Sequence, residues 1–105
     1  VHIDHFRGPE RALGRAFPAH ATSLGKAILA ELSDAERDAA LAEMVLAPWT
    51  TRTIVEREPL LADLALARER GWALEDGEFH EARRSIGAAV RDHTGAVVAA
   101  VGVGT

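Results

Sequence analysis

Val1, Ile3 and His5 alternate with His2 and Asp4, the two-residue period of a strand, so an extended segment is expected where the chain begins. Arg7-Gly8-Pro9 interrupts it, and Ala12 to Phe17 reads as a second short extended segment before Pro18. From there the period lengthens. Leu24, Ala27, Ile28 and Leu32 share one helical stripe, with Thr22 or Ser23 placed to cap it, which predicts a helix to about Leu32. Gly25 in its first turn runs against helix propensity, and its missing side chain lets another backbone or a ligand come close. Ser33-Asp34-Ala35-Glu36 is a capping-box pattern and predicts a second helix through about Glu43, with Ala39, Ala40 and Leu41 as its small apolar surface.

Val45 to Val55, with Pro48, Trp49 and the threonines 50, 51 and 53, reads as a loop leading into a short extended piece. Pro59 suits the first turn of a third helix, where its missing N–H would be unpaired in any case. Leu61, Leu64, Ala65 and Arg68 keep helical spacing, and Gly71 is a good stop. Trp72 to Leu74 is short and strand-like, and Glu75-Asp76-Gly77-Glu78 reads as an acidic turn or loop. Ser85 to Arg91 and Ala96 to Val103 are strand-like runs around Asp92-His93-Thr94-Gly95, which predicts an antiparallel hairpin. Alternation puts Ile86, Ala88 and Val90 on one face of the first strand and Ser85, Gly87 and Ala89 on the other. In the second strand Val97, Ala99, Val101 and Val103 oppose Val98, Ala100, Gly102 and Gly104, so one hairpin face is bulky and the other small. Small side chains on a sheet leave room for a close-packed helix or for a bound molecule.

The composition fits one globular domain: 105 residues, 48% hydrophobic, 27% charged, net charge −4. Sixteen acidic residues interspersed with twelve basic ones argue against a duplex-binding surface on this piece. The longest apolar run, Ala96 to Val103, is far short of the ~20 residues a spanning helix requires. His2, Asp4, His5 and Arg7 interrupt any apolar leader, and the chain, lacking an initial Met, reads as an excised piece. The absence of cysteine excludes disulfides, thiolate zinc sites and cysteine nucleophiles, and makes a cytoplasmic setting the expectation.

Catalytic motifs are weak. His2, Asp4 and His5 do not share one strand face, and neither His20, His80 nor Glu78 completes a metal set at a diagnostic spacing. Ser23 and Ser85, with His20 or His80 as bases, lie in no nucleophile elbow. There is no glycine-rich phosphate loop. The group Glu75, Asp76, Glu78 and Glu81 reads as an acidic surface loop from which one member can face inward to a ligand, and Arg83-Arg84 as a solvated or salt-bridged edge. His20 to Lys26 sets polar residues and a glycine at a helix start, where unpaired amides and the helix dipole favour a carboxylate. An ordinary N-cap is the competing explanation.

Taken together, Pro18 to Ala27 (P-A-H-A-T-S-L-G-K-A), Pro48 to Ile54, Arg70-Gly71-Trp72-Ala73, Asp76-Gly77-Glu78 and Ile86 to Asp92 closely resemble the effector-binding domain of IclR-type bacterial transcription regulators, over nearly the whole chain. The resemblance implies an α+β, GAF-like (profilin-like) fold, an antiparallel sheet flanked by helices, with a small-molecule pocket between sheet and loops. It also implies that residues 1–105 are a truncated core fragment, lacking the family's N-terminal winged helix-turn-helix and its final C-terminal helix. Operator DNA would be bound only through that missing N-terminal domain, by a homodimer or homotetramer, with no cofactor and no metal. Carried over by motif, the effector site takes in Ser23, Leu24 and Gly25 at the helix start. Glu75 or Asp76 supplies an acidic pocket residue, Ser85 a small polar one, and Gly102 and Gly104 stand where members that bind small oxoacids often have serines. Loss of two hydroxyl donors implies a larger or more aromatic effector than glyoxylate-like acids. The rival readings are an oligomerisation domain with a vestigial pocket and a GAF-like enzyme relative.

Overall fold

The computed structural model describes the backbone of residues 2–5 and, in full, residues 18–105; the extended segment expected at Ala12 to Phe17 lies outside the described residues. The elements in chain order are β1 (His2–His5), α1 (Ser23–Glu31), α2 (Asp34–Glu43), α3 (Arg57–Arg70), β2 (Ala73–Asp76), β3 (Arg84–Arg91) and β4 (Val97–Gly104). The four strands form one antiparallel sheet in the order β1-β4-β3-β2. This is the α+β architecture expected.

Local chemistry accounts for the helix limits. The Thr22 side chain accepts from Gly25 N at 3.2 Å, which starts α1. Ser33 and Glu36 form the full capping box, each side chain taking the other's amide at 3.2 Å. At the far end of α3, Gly71 adopts the left-handed conformation (φ 89°) and its N–H closes onto Ala67 O at 2.9 Å.

Helix α1 is central: seven of its nine residues are buried, and it touches β2, β3, β4 and α3. Ile28 and Leu29 meet Leu60 and Leu64 of α3, Leu41 of α2, and Ala73 and Ala100 of the sheet in one core. Burial of each of these large side chains is worth about 1.5–3 kcal/mol.

The hairpin has the alternation read from the sequence, with Gly87 opposite Gly102 and Ile86 opposite Val103. Its turn closes by Gly95 N to Asp92 O at 3.0 Å, with Gly95 at φ 86°. The small face, not the bulky one, is turned to the core. Ala100 is fully buried, whereas Ile86, Val90 and Val103 on the opposite face are 48%, 42% and 56% exposed.

Two expectations need correction. The acidic stretch is not wholly a turn: Glu75 and Asp76 pair with Ser85 and Arg84 as the last residues of β2, and the chain turns at Gly77, φ 67°. Cross-strand contacts offset the poor strand propensity of these carboxylates, Ser85 Oγ donating to Glu75 Oε1 at 3.2 Å and Arg84 Nε forming an ion pair with Asp76 Oδ1 at 3.1 Å. The threonine-rich segment after Trp49 forms no strand, because its hydroxyls are committed elsewhere. Thr53 Oγ1 accepts from Thr50 N at 2.9 Å, and the Thr50 and Thr53 hydroxyls donate to Gly77 O and Glu78 O.

Candidate functional site

At the start of α1 the sheet is not covered. A cavity of about 350 Å³ lies between the first turn of α1, the Ser85/Gly104 end of the hairpin and the residues that follow β2. Ser23, Leu24, Glu75, Ser85, Gly102 and Gly104 all line it.

Each side of the cavity has a local cause. The first two amides of a helix have no intrahelical acceptor, so Ser23 and Leu24 present N–H groups at the positive end of α1, and no acidic residue occupies that turn. This turn can approach the sheet because Gly87 has no side chain: a Cβ there would lie 2.6 Å from Ser23 O. A Cβ on Gly102 would sit 3.0 Å from Leu24 Cδ2, so that glycine mainly accommodates the leucine. At Gly104 the nearest atoms to a Cβ are 3.5 Å away, which is ordinary contact. The small strip therefore serves both purposes, packing at one end and open volume at the other.

Glu75 is the buried charge of the site, 5% exposed. Its Oε2 accepts from Glu78 N at 2.8 Å and its Oε1 from Ser85 Oγ at 3.2 Å. Glu78 is held in turn: its Oε2 accepts from Asp76 N at 2.9 Å, and its Oε1 lies 2.8 Å from Lys26 Nζ. Lys26, 1% exposed, also reaches Asp63 Oδ2 of α3 at 2.7 Å. Burial of the lone lysine is possible because both carboxylates meet it.

Two predicted residues are not part of the lining. Gly25 is packed against its own chain, where a Cβ would be 2.4 Å from Ala19 Cα, so backbone rather than ligand explains that glycine. Asp76 sits beside Glu75 but meets Arg84 and, at 3.3 Å, Arg52. Alternation along β2 decides between the two acids, turning Glu75 inward and Asp76 to the arginines.

Sequence reasoning missed Thr22, Phe79, Arg83, Arg84, Val103 and Thr105, which also line the cavity. Arg84 does form the salt-bridged edge expected of it, while lining the cavity as well. Phe79 is carried by the turn after β2 and packs edge-on against Trp49, ring centroids 5.0 Å apart. No periodicity marks such a loop residue, although an aromatic placed just after Asp76-Gly77-Glu78 is a usable signal.

Among the described residues, neither Ser23 nor Ser85 is hydrogen-bonded to His20 or His80. Ser85 Oγ is bonded to a carboxylate, and His20 is turned to Ala47 O, its Nε2 donating at 2.9 Å. His80 Nδ1 accepts from Ala82 N at 3.3 Å. Among the described residues no three His, Asp or Glu side chains are grouped to hold a metal ion, and no helix is long and apolar enough to cross a membrane.

A family model described as bacterial transcriptional regulator IclR C-terminal matches residues 9–105. The chain belongs to that family. Its members' C-terminal domains bind effectors and are not catalytic. The chain is 34% identical over 110 residues to the HTH-type transcriptional regulator XynR of Escherichia coli, the match covering 100% of this chain and 44% of XynR. It is thus less than half the length of that relative. Among solved structures, the C-terminal domain of the E. coli transcriptional regulator KdgR superposes with a TM-score of 0.80 at 33% identity, covering 88% of this chain and 56% of that one. The inducer-binding domain of a PobR double mutant from Acinetobacter, in complex with hydroxybenzoic acid (the 3-hydroxy isomer), gives 0.79 at 28% identity, covering 90% and 55%.

Proposed function

We propose that this chain is the small-molecule sensor of a DNA-binding transcriptional regulator and that its effector is a carboxylate larger than a two- or three-carbon oxoacid, with aromatic acids the favoured class. The observation that carries this is the cavity at the α1 N-terminus. Helix amides and the Arg83 and Arg84 side chains suit an anion, and Phe79 offers a ring for an aromatic body. About 350 Å³ is at the small end of the usual range for ligand sites. Gly104 contributes to that volume, and the hydroxybenzoic acid complex of the PobR domain supports the aromatic class. Because the cavity is open rather than filled by the protein's own side chains, the vestigial-pocket reading loses its main support.

An effector changes DNA affinity only by binding one state better than another. In this reading the acid bridges α1 and the hairpin edge, and its preference for one conformational or quaternary state changes the spacing of DNA-binding modules in a homodimer or homotetramer. Operator DNA is contacted outside residues 1–105, in keeping with their net charge of −4.

The test is thermal unfolding against a panel of aliphatic oxoacids, hydroxyacids and aromatic acids. A ligand at 100 times its Kd stabilises by about 2.7 kcal/mol, a shift of several degrees in a domain of this size. Selective shifts with aromatic acids are expected, and Gly104→Leu should remove them with the unliganded Tm retained. Binding of only two- or three-carbon oxoacids would overturn the proposed class.

A further inference from the structure

The buried lysine is not a ligand-lining residue, yet it stands at the root of the charge that is. From Asp63 on α3 the connections run through Lys26 Nζ (2.7 Å) to Glu78 Oε1 (2.8 Å), and from Glu78 N to Glu75 Oε2 (2.8 Å) at the cavity wall. The four ionisable groups carry one positive and three negative charges, and the lysine meets Asp63 and Glu78 but not Glu75. Glu75, 5% exposed, is left with an amide on one oxygen and a 3.2 Å hydroxyl on the other. A carboxylate accepts about two hydrogen bonds per oxygen, so Glu75, which lines the cavity together with its partner Ser85, keeps acceptor capacity on Oε1. A buried anion with spare capacity favours a ligand that donates to it and disfavours one that cannot.

We propose that Lys26 is a positioning residue for effector selectivity: by clamping Glu78 it fixes Glu75 so that Oε1 is presented to the cavity, and the site selects acids that carry a hydroxyl donor over their deoxy counterparts. This rests on the effector-binding reading above and adds the feature by which the site discriminates. The carboxylate of the ligand is held by the α1 amides and the arginine side, and its hydroxyl donates to Glu75 Oε1. Without the clamp, Glu78 no longer holds Asp76 N, and although the Thr50 and Thr53 hydroxyls still hold Gly77 O and Glu78 O, the Glu78 N–H loses the side-chain brace that aims it at Glu75 Oε2.

The experiment measures Kd by calorimetry for two matched pairs, meta-hydroxybenzoate against benzoate and a hydroxybutyrate against butyrate, on the wild-type chain, Glu78→Gln, Lys26→Met and Asp63→Asn. Wild type should prefer the hydroxylated member of a bound pair by about tenfold, the discrimination one charge-assisted hydrogen bond provides. Glu78→Gln should bring the ratio close to unity while the deoxy acid binds about as before, since helix-terminus recognition of its carboxylate is untouched. Asp63→Asn removes the other partner of Lys26 and leaves the Glu78–Glu75 link, so it should lower Tm and keep the ratio. Lys26→Met, where it folds, should behave as Glu78→Gln; where it does not, Glu78→Gln against Asp63→Asn decides. Equal loss of both members of a pair in Glu78→Gln, or the same change of ratio in Asp63→Asn, would reduce the clamp to a structural role and overturn the proposal. Wild-type binding without discrimination would overturn it while the effector reading stands; binding of no acid at all would remove both.

Discussion

The same strip of small residues ends in two different ways. At Gly87 the absent side chain is occupied by the backbone of α1, with Ser23 O 2.6 Å from where a Cβ would be; at Gly104 the nearest atoms are 3.5 Å away and the space opens into the cavity. One glycine makes the fold and the other makes room. The difference is set by where α1 begins. Thr22 caps the helix directly over β3, so the helix covers Gly87 and stops before reaching the Gly104 end. Small residues on a sheet face are therefore ambiguous until the helix above them is placed.

One identical substitution at the two ends should give the sharpest contrast. Gly87→Ala forces its new carbon against the carbonyl of Ser23, a backbone group held by the helix that follows, and is expected to cost about 3 kcal/mol or to prevent folding. Urea unfolding measures it; a loss below about 0.5 kcal/mol, the range of an ordinary surface change, would mean that α1 moves freely over the strip. Next in size is Lys26→Met, which leaves Asp63 and Glu78 facing an apolar side chain. Both carboxylates retain some solvent access, 27% and 12%, so the expected loss is about 2–3 kcal/mol, below that for a fully buried pair. A loss that large from a residue at the helix start would show that the cavity end is fastened by charge as firmly as the covered end is by contact.

These two effects also mark how far the sequence could be read. Helix limits were legible because Thr22, Ser33, Glu36 and Gly71 act through atoms within four residues of themselves. The hairpin and its two faces were legible from a period of two and a glycine turn. The threonines after Trp49 misled because their hydroxyls bond to the turn near Gly77, more than twenty residues away, which no local propensity records. The candidate site divides in the same way. Ser23 and Leu24 were marked by a helix start, whereas choosing Glu75 over Asp76 needed the β2–β3 register, and Phe79 and Arg83 needed the path of a loop. Gly25 shows the ambiguity within a single residue: a close approach was expected, and Ala19 makes it.

At the open end, Gly104→Ala should change stability by less than about 0.5 kcal/mol, since its methyl meets Arg84 O and Ser85 Cβ at ordinary distance. The effect belongs to binding. Gly104→Ser is expected to be equally mild for folding while shifting the thermal-shift profile from aromatic toward smaller, more polar acids, because it adds a hydroxyl and takes volume from the cavity. An unchanged ligand profile in the serine variant would detach Gly104 from selectivity and leave Glu75 and Ser85 to carry it.

The smallest effect lies at the opposite end of the hairpin, in its turn. Asp92 accepts from the Thr94 hydroxyl and from Thr94 N at 2.8 Å, with Ala96 N at 3.2 Å, and these donors hold its carboxyl below the ordinary carboxylate range, the hydroxyl contributing most. A group whose folded pKa is depressed contributes stability above its unfolded pKa and loses it as pH falls through the folded value. Asp92→Asn, which mimics the protonated acid without titrating, should therefore be slightly less stable than wild type at neutral pH, and the gap should close on acidification. Urea midpoints of the two proteins followed from neutral pH to below the carboxylate range measure this. Because Asp92 is fully exposed, solvent screening keeps the gap small. Its distance from the cavity also makes it a control: ligand-induced Tm shifts should be the same in Asp92→Asn and wild type, and a difference would mean that strain at the turn is transmitted along the hairpin to Ser85 and Gly104.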